Sequence, residues 1–417
     1  MSSPFVPENL GENDVISLDP FGTDHHGEAA RLREQGPVTR VMLPGGIPAW
    51  AVSHHEHLSA LVSDPRVSKD WRNWTAIKRG EIPDGWPLDG MVRVTNMVTA
   101  DGSEHRRLRR LVSKTLTQRR VQNMLPRITE IVGGLLDELP SHAGPDGVVD
   151  LRPHYAYPVP MQVICEFTGV PRPWWPRLRE LVDSIFRSDT TPEEVIETQR
   201  DRVRMLGQLV ELRRAEPGDD LTSALIAARD EDPDALTAEE LTDTLWLLLT
   251  AGHETTLSLI VNATRALLTH PEQRALAVEG DRWDDVIEET LRWDAPIGNF
   301  MARYPLEDIE IAGVTIPAGD AILACYSAAG RDPAQYGPAA DQFDIADTTS
   351  KHLAFGGGAH FCLGATLARS EGSVAVRELF TRYPGLTLAS PAESLPPVPS
   401  LFSNSARTLP VRLSGTA

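Results

Sequence analysis

Apolar and polar positions change rhythm along the chain, and each change marks a different kind of element. Residues 36–62 alternate apolar and polar positions around Gly45 and Gly46. A period of two about a glycine pair predicts a small antiparallel hairpin, VTRVML followed by AWAVS. Residues 63–102 hold no period and are rich in Trp, Gly and Pro. From Ser103 to about Leu268 the helical period dominates, broken at PSHAGPDG, VPRP, DTTP, AEPGDD and EDPDA. Another helix covers roughly 284–293, and short strands follow in DIEIAG, VTIPAG and AILACYS. Residues 332–361 read as a long loop, then LGATLARSEGSVAVRELFTRY as an amphipathic helix and LPVRLS as a last strand. Strands, many helices, strands, one helix and a strand predict a mostly α chain with a small segregated β-sheet, not alternating βαβ units. The β-rich part falls at about 36–62 and 305–326, the helical part at about 103–293 and 363–382. A structureless stretch as long as 332–361 inside a folded unit is usually functional.

Composition narrows the function classes. The 417 residues carry 40 Lys+Arg against 59 Asp+Glu, a formal net charge of −19. That balance argues against sequence-independent binding to nucleic acid or an anionic membrane. The most apolar stretch, Leu245 to Val261, is interrupted by His253 and Glu254. A spanning helix needs ~20 largely uncharged residues, so this reads as a buried core helix. The first residues show no basic and apolar leader pattern. Three distant cysteines, Cys165, Cys325 and Cys362, exclude a disulfide framework and agree with a reducing cytoplasm.

Four constellations carry possible chemistry. The long loop ends in Phe355-Gly-Gly-Gly-Ala-His-Phe-Cys-Leu-Gly364. Consecutive glycines let the backbone turn and approach a flat ligand closely. Cys362 then stands at a helix start, where dipole and free N–H groups favour a thiolate. A buried free cysteine beside a glycine turn is the competing structural reading. Ala251-Gly252-His253-Glu254-Thr255-Thr256 places an acid, hydroxyls and a glycine at the centre of the apolar helix. Gly252 removes bulk where a ligand could sit, and Glu254 beside Thr255 makes a proton-delivery pair. Its alternative is a polar group satisfied by neighbouring helices. Glu289 and Arg292 share one helix face at i, i+3, the spacing of a surface salt bridge as well as of a structural clamp. His105 and Arg109 share a face at i, i+4 and could grip carboxylates. They lie in a basic run, with seven Lys/Arg between 104 and 120 and Glu104 as the one acid. A solvated basic helix is the commoner meaning of such a run.

Together the four resemble one family, the cytochrome P-450 haem-thiolate monooxygenases. Phe355, Gly358, Cys362 and Gly364 match its FxxGxxxCxG loop, Ala251 to Thr256 its AGxETT helix motif, and Glu289 and Arg292 its ExxR, all in the family's order. Ser68–Asp70, Gly80–Leu88 and Leu395–Asn404 look like a group of actinomycete members, some acting on steroids, macrolactones or aromatic natural products. The resemblance implies one P-450 domain over residues 1–417 holding haem b, with Cys362 as metal ligand. It implies Ala251, Gly252, Glu254 and Thr255 at the oxygen site, the last two relaying protons. It implies His105, Arg109, Arg303 and His360 on the haem propionates, Phe355, Gly356 and Gly364 around the cofactor, and Glu289 and Arg292 as structural. Trp86, Met91, Val92, Leu247, Leu248, Ile297, Phe300, Leu401 and Phe402 would line an apolar pocket for a fairly large substrate, a steroid first. A macrolactone, or oxidative coupling of aromatic molecules, is the alternative. Electrons would come from NAD(P)H through a ferredoxin reductase and a ferredoxin docking near Arg106, Arg107, Arg110 and Lys114 of a monomeric cytoplasmic enzyme. Gln342 departs from the pattern, since many members carry there an Arg that completes a triad with ExxR. A haem-thiolate peroxygenase would place other residues at Glu254 and Thr255, a haem sensor would need no relay, and a zinc site on His360 and Cys362 lacks two further ligands.

Overall fold

A computed structural model describes residues 15–83, 85–86, 88–185, 191–232, 236–346 and 351–413. Residues 1–14, on which the leader expectation falls, and Pro87 lie outside them. The hairpin forms as the alternation predicts, Val38–Leu43 against Ile47–Val52, with Gly45 and Gly46 both at positive φ in its turn. Its second strand then pairs in parallel with Ile322–Cys325, which pairs antiparallel with Asn299–Phe300. The two β-rich stretches therefore share one sheet. A separate two-stranded ladder joins Val67–Ser68 to Tyr304–Pro305. It lies in the stretch that shows no period, because two-residue strands leave no rhythm to read.

The helical part is organised on Ala238–Thr269. A capping box of Thr237 and Glu240 starts this central helix, and Pro271 opens the next one, Pro271–Gly280, which the sequence pattern left unassigned. The central helix is long and apolar enough to cross a membrane, but 72% of that window is buried inside the protein. The helix after the cysteine, Ala365–Arg382, packs on it through Gly372, where an added Cβ would lie 3.2 Å from Leu259 and 3.0 Å from Ile287. The loop 332–361 is less bare than its sequence suggests, with single turns at Pro333–Tyr336 and Gly358–His360.

The cysteine helix also buries Glu371, whose Oε2 has no hydrogen-bond partner among the described residues. Burial raises its pKa well above the ordinary carboxylate value of 4.5. The folded chain keeps the proton that the unfolded chain releases. Glu371 therefore favours unfolding increasingly as pH rises past 4.5, at up to about 1.4 kcal/mol per pH unit. Glu371→Gln should raise the urea midpoint at pH 7–8, with a gain that shrinks toward pH 5. Equal midpoints at every pH would show that folding leaves the affinity of this carboxyl for its proton unchanged.

Candidate functional site

The central helix is covered along most of its length, but Leu247, Leu248, Ala251, Gly252 and Thr255 keep free surface. Those positions follow i, i+1, i+4, i+5, i+8, one stripe of a helix. A stripe left open in the middle of a core helix lines a recess. Thr255 Oγ1 donates to the Ala251 carbonyl at 2.7 Å, keeping its lone pairs on that stripe. Gly252 serves differently from the reading of its sequence. A Cβ there would meet Ile164 Cδ1 at 3.0 Å, so the glycine admits close approach of the Pro158–Thr168 helix.

Glu254 is buried on the flank of the stripe. Its Oε1 accepts from Arg152 Nη2 at 3.2 Å, and Arg152 also donates to the Ala406 carbonyl. Burial raises the Glu254 pKa and Arg152 opposes it. The acid is thus a buried carboxyl whose proton affinity is raised by burial and partly offset by Arg152. Arg152 was not foreseen, since its partner lies 102 residues away.

Cys362 is accessible although protein surrounds it closely, which places it on the wall of a recess. Burial raises its thiol pKa, against the Gly364 N–H and the Arg109 and Arg369 guanidiniums. Phe355 accepts the Cys362 N–H at its carbonyl, stacks edge-on with Phe361, and lies under Arg369. Gly358 turns the loop at φ 61, with its Cβ direction 2.8 Å from the Val62 carbonyl. Gly356, also at positive φ, approaches the Tyr326 hydroxyl.

The basic helix, Gly102–Thr115, reaches this loop from one side. The His105 and His360 rings lie 4.1 Å apart, and Arg109 Nη2 donates to the Phe361 carbonyl at 2.6 Å. Arg303 donates to Tyr326 Oη at 3.0 Å, which ties it to the same loop. His105, Arg109, Arg303 and His360 are therefore brought together. Burial and its cationic neighbours push His105 down to about 4, while His360, Ser68 and the Lys69 N–H bring Asp101 to about 2 against its burial. Asp101 and Tyr326 carried no signal in the sequence. Arg107 does not join this set. It pairs with Glu240, in the capping box of the central helix, while Arg106, Arg110 and Lys114 are exposed, Arg110 within 4.0 Å of Asp232.

Arg292 is the hub behind the loop. It grips Glu289 with Nε and Nη2 at 2.7 and 2.6 Å, and donates to the carbonyls of Gly330, Ala340 and Gln342. Glu289 also accepts the Asp344 N–H at 2.8 Å. Position 342 is held through its backbone, so Gln in place of Arg leaves the clamp intact. Of the apolar residues expected at the pocket, Leu247, Leu248, Met91, Ile297 and Phe300 keep free surface. Trp86, Val92, Leu401 and Phe402 are buried in a side cluster, and the Trp86 indole N–H is used by the Pro44 carbonyl. They back the wall rather than face the recess.

The cytochrome P450 family model matches residues 283–397, which hold Glu289, Arg292 and the cysteine loop. The 6-deoxyerythronolide B hydroxylase of Saccharopolyspora erythraea is 41% identical, over 96% of this chain and 98% of its own. The chain belongs to the cytochrome P450 family. This P450 is a monooxygenase by the same likeness, and 2-hydroxy-5-methyl-1-naphthoate 7-hydroxylase of Streptomyces carzinostaticus is 40% identical over 96% of it and 98% of that relative. Its fold superposes with a TM-score of 0.92 on testosterone-bound CYP154C4 from Streptomyces sp. ATCC 11861, 46% identical, covering 96% of this chain and 98% of that one.

The family implies haem, and the donor set of this P450 fits it. An accessible thiol stands near guanidiniums and backbone N–H groups. Beside it, among the described residues, the buried Arg303 Nη1 donor and the His105 Nε2 have no partner, as a site for an anionic ligand requires. The clamp behind the loop has a measurable worth. Breaking a buried pair costs about 3–5 kcal/mol, and lysine cannot reproduce the guanidinium fan. Arg292→Lys should lose about that much in urea unfolding, while Gln342→Ala should cost under about 0.5 kcal/mol. A large loss for Gln342→Ala would show that its side chain carries the clamp.

Proposed function

We propose that this P450 hydroxylates a fairly large, mostly apolar small molecule at an unactivated carbon, with a steroid first among substrates. The observation that carries the reading is the open stripe of Leu247, Leu248, Ala251 and Thr255 on a helix otherwise buried, beside an accessible Cys362. Ile297, Phe300 and Met91 add apolar surface. The steroid preference is supported by the testosterone-bound neighbour. A macrolactone or an aromatic substrate is the second choice, favoured by the names of the hydroxylases of S. erythraea and S. carzinostaticus.

In this reading Cys362 holds the iron of haem b, and His105, Arg109, Arg303 and His360 hold its carboxylates. The haem supplies the oxidising chemistry, and the protein supplies orientation, dryness and protons. Glu254 exchanges protons at Oε1, where burial raises its affinity for them and Arg152 limits the rise. Thr255 Oγ1 accepts a proton's hydrogen bond on the open stripe while bonded to the Ala251 carbonyl. With Glu254 turned to Arg152, transfer requires rotation of its carboxyl or an intervening water. Phe355 and Phe361 pack edge-on within the cysteine loop. Electrons come from NAD(P)H through a reductase and a ferredoxin docking on Arg106, Arg110 and Lys114, where charge raises the association rate. We place the enzyme in the cytoplasm as a monomer.

Thr255→Ala should lower product formed per NADH consumed by about ten-fold or more, with peroxide released instead. Unchanged coupling would remove Thr255 from proton delivery. Steroids should shift the ferric spin state at low micromolar concentration, ahead of macrolactones. A shift by small charged ligands alone would overturn the apolar substrate.

A further inference from the structure

We infer that Lys69 is a fifth basic side chain at the carboxylate-binding end of the site and holds one haem propionate, an inference that rests on the haem reading above. Val67 pairs with Pro305 and Ser68 with Tyr304. Continuing that antiparallel register by one residue sets Lys69 opposite Arg303 on the same face. Directly opposed like charges repel, and both residues are buried, at 7% and 4% exposure. A buried cation without an anion is costly. Among the described residues the one acid close to Lys69 is Asp101. Asp101 binds the Lys69 backbone N–H with both oxygens at 3.2 Å, takes the Ser68 hydroxyl, and lies 3.8 Å from His360. Among the described residues the ammonium makes no ion pair, and it lies over the Phe300 ring, 5.0 Å from its centre. Burial and Arg303 together hold its pKa well below the ordinary lysine value, against Asp101.

Lys69, Arg303, His105, Arg109 and His360 thus converge with one carboxylate among them, and Arg303 Nη1 and His105 Nε2 have no partner. What this cluster lacks is negative charge, and a haem brings two carboxylates. The helix side of the cluster follows from local spacing. The Lys69 side follows from a strand pairing of Ser68 with Tyr304, far apart in the chain, which is why the Ser-Lys-Asp triplet alone does not disclose it.

The test compares haem release from the holoprotein to excess apomyoglobin, using ordinary haem and its dimethyl ester, whose propionates carry no charge. A charge-assisted hydrogen bond is worth roughly ten- to a hundred-fold in affinity. Lys69→Met should release ordinary haem faster by about that factor, and Lys69→Arg should restore retention. With the dimethyl ester, wild type and Lys69→Met should agree within about two-fold. Lys69→Gln runs the same comparison if the methionine variant does not hold haem. Equal release of ordinary haem by wild type and Lys69→Met would overturn the assignment. So would the same increase with both haems, since that marks a merely structural lysine. A wild type without a thiolate-type ferrous–CO band would sink the haem reading itself, independently of Lys69.

Discussion

The guanidinium of Arg292 is the point on which the site depends. Its hydrogen bonds to Glu289 and to the carbonyls of Gly330, Ala340 and Gln342 tie one helix to the loop that ends in Cys362. Arg can do this because its donors form a rigid fork that is never deprotonated. Glu289 is buried, and burial raises its pKa against Arg292. The pair therefore gains little as a charge pair and much as geometry. It fixes where the loop starts, and the glycines at 356 and 358 then set how closely the loop passes Tyr326 and Val62.

The recess itself is built by contrast of charge and apolar surface. One end gathers Lys69, His105, Arg109, Arg303 and His360 around Asp101, inside a chain whose net charge is −19. The other end is apolar, with Leu247, Leu248, Ile297 and Phe300. A ligand that carries two carboxylates on a flat apolar body suits both ends at once. Glu254 stands apart from this cluster, paired with Arg152, so that a buried acid persists near the open stripe.

Local spacing made much of this legible. The Cys362 loop, the Glu289–Arg292 step and the His105–Arg109 face are short-range patterns, and the structure brings each to the same region. What spacing could not show depends on partners far along the chain. Arg107 pairs with Glu240 and Glu254 with Arg152, so neither partner was foreseen. Lys69 faces Arg303 through a two-residue ladder too short to leave a pattern. Gly252 was read as space for a ligand because periodicity gives the helix but not which neighbour presses on each face. Trp86 was assigned to the pocket as an aromatic in an irregular stretch. Its indole N–H instead closes on Pro44, inside a packed cluster. Gln342 departed from the family pattern in its side chain, whereas the clamp uses its carbonyl.

Thiolate ligation by Cys362 is the central proposal, since the loop, the clamp and the basic cluster converge on its neighbourhood. The direct measurement is the ferrous–CO difference spectrum of wild type and of Cys362→Ala. The wild type should give the red-shifted thiolate-type band, and the variant should lose it. Persistence of that band in Cys362→Ala, with Cys165 or Cys325 as the ligand, would contradict the account.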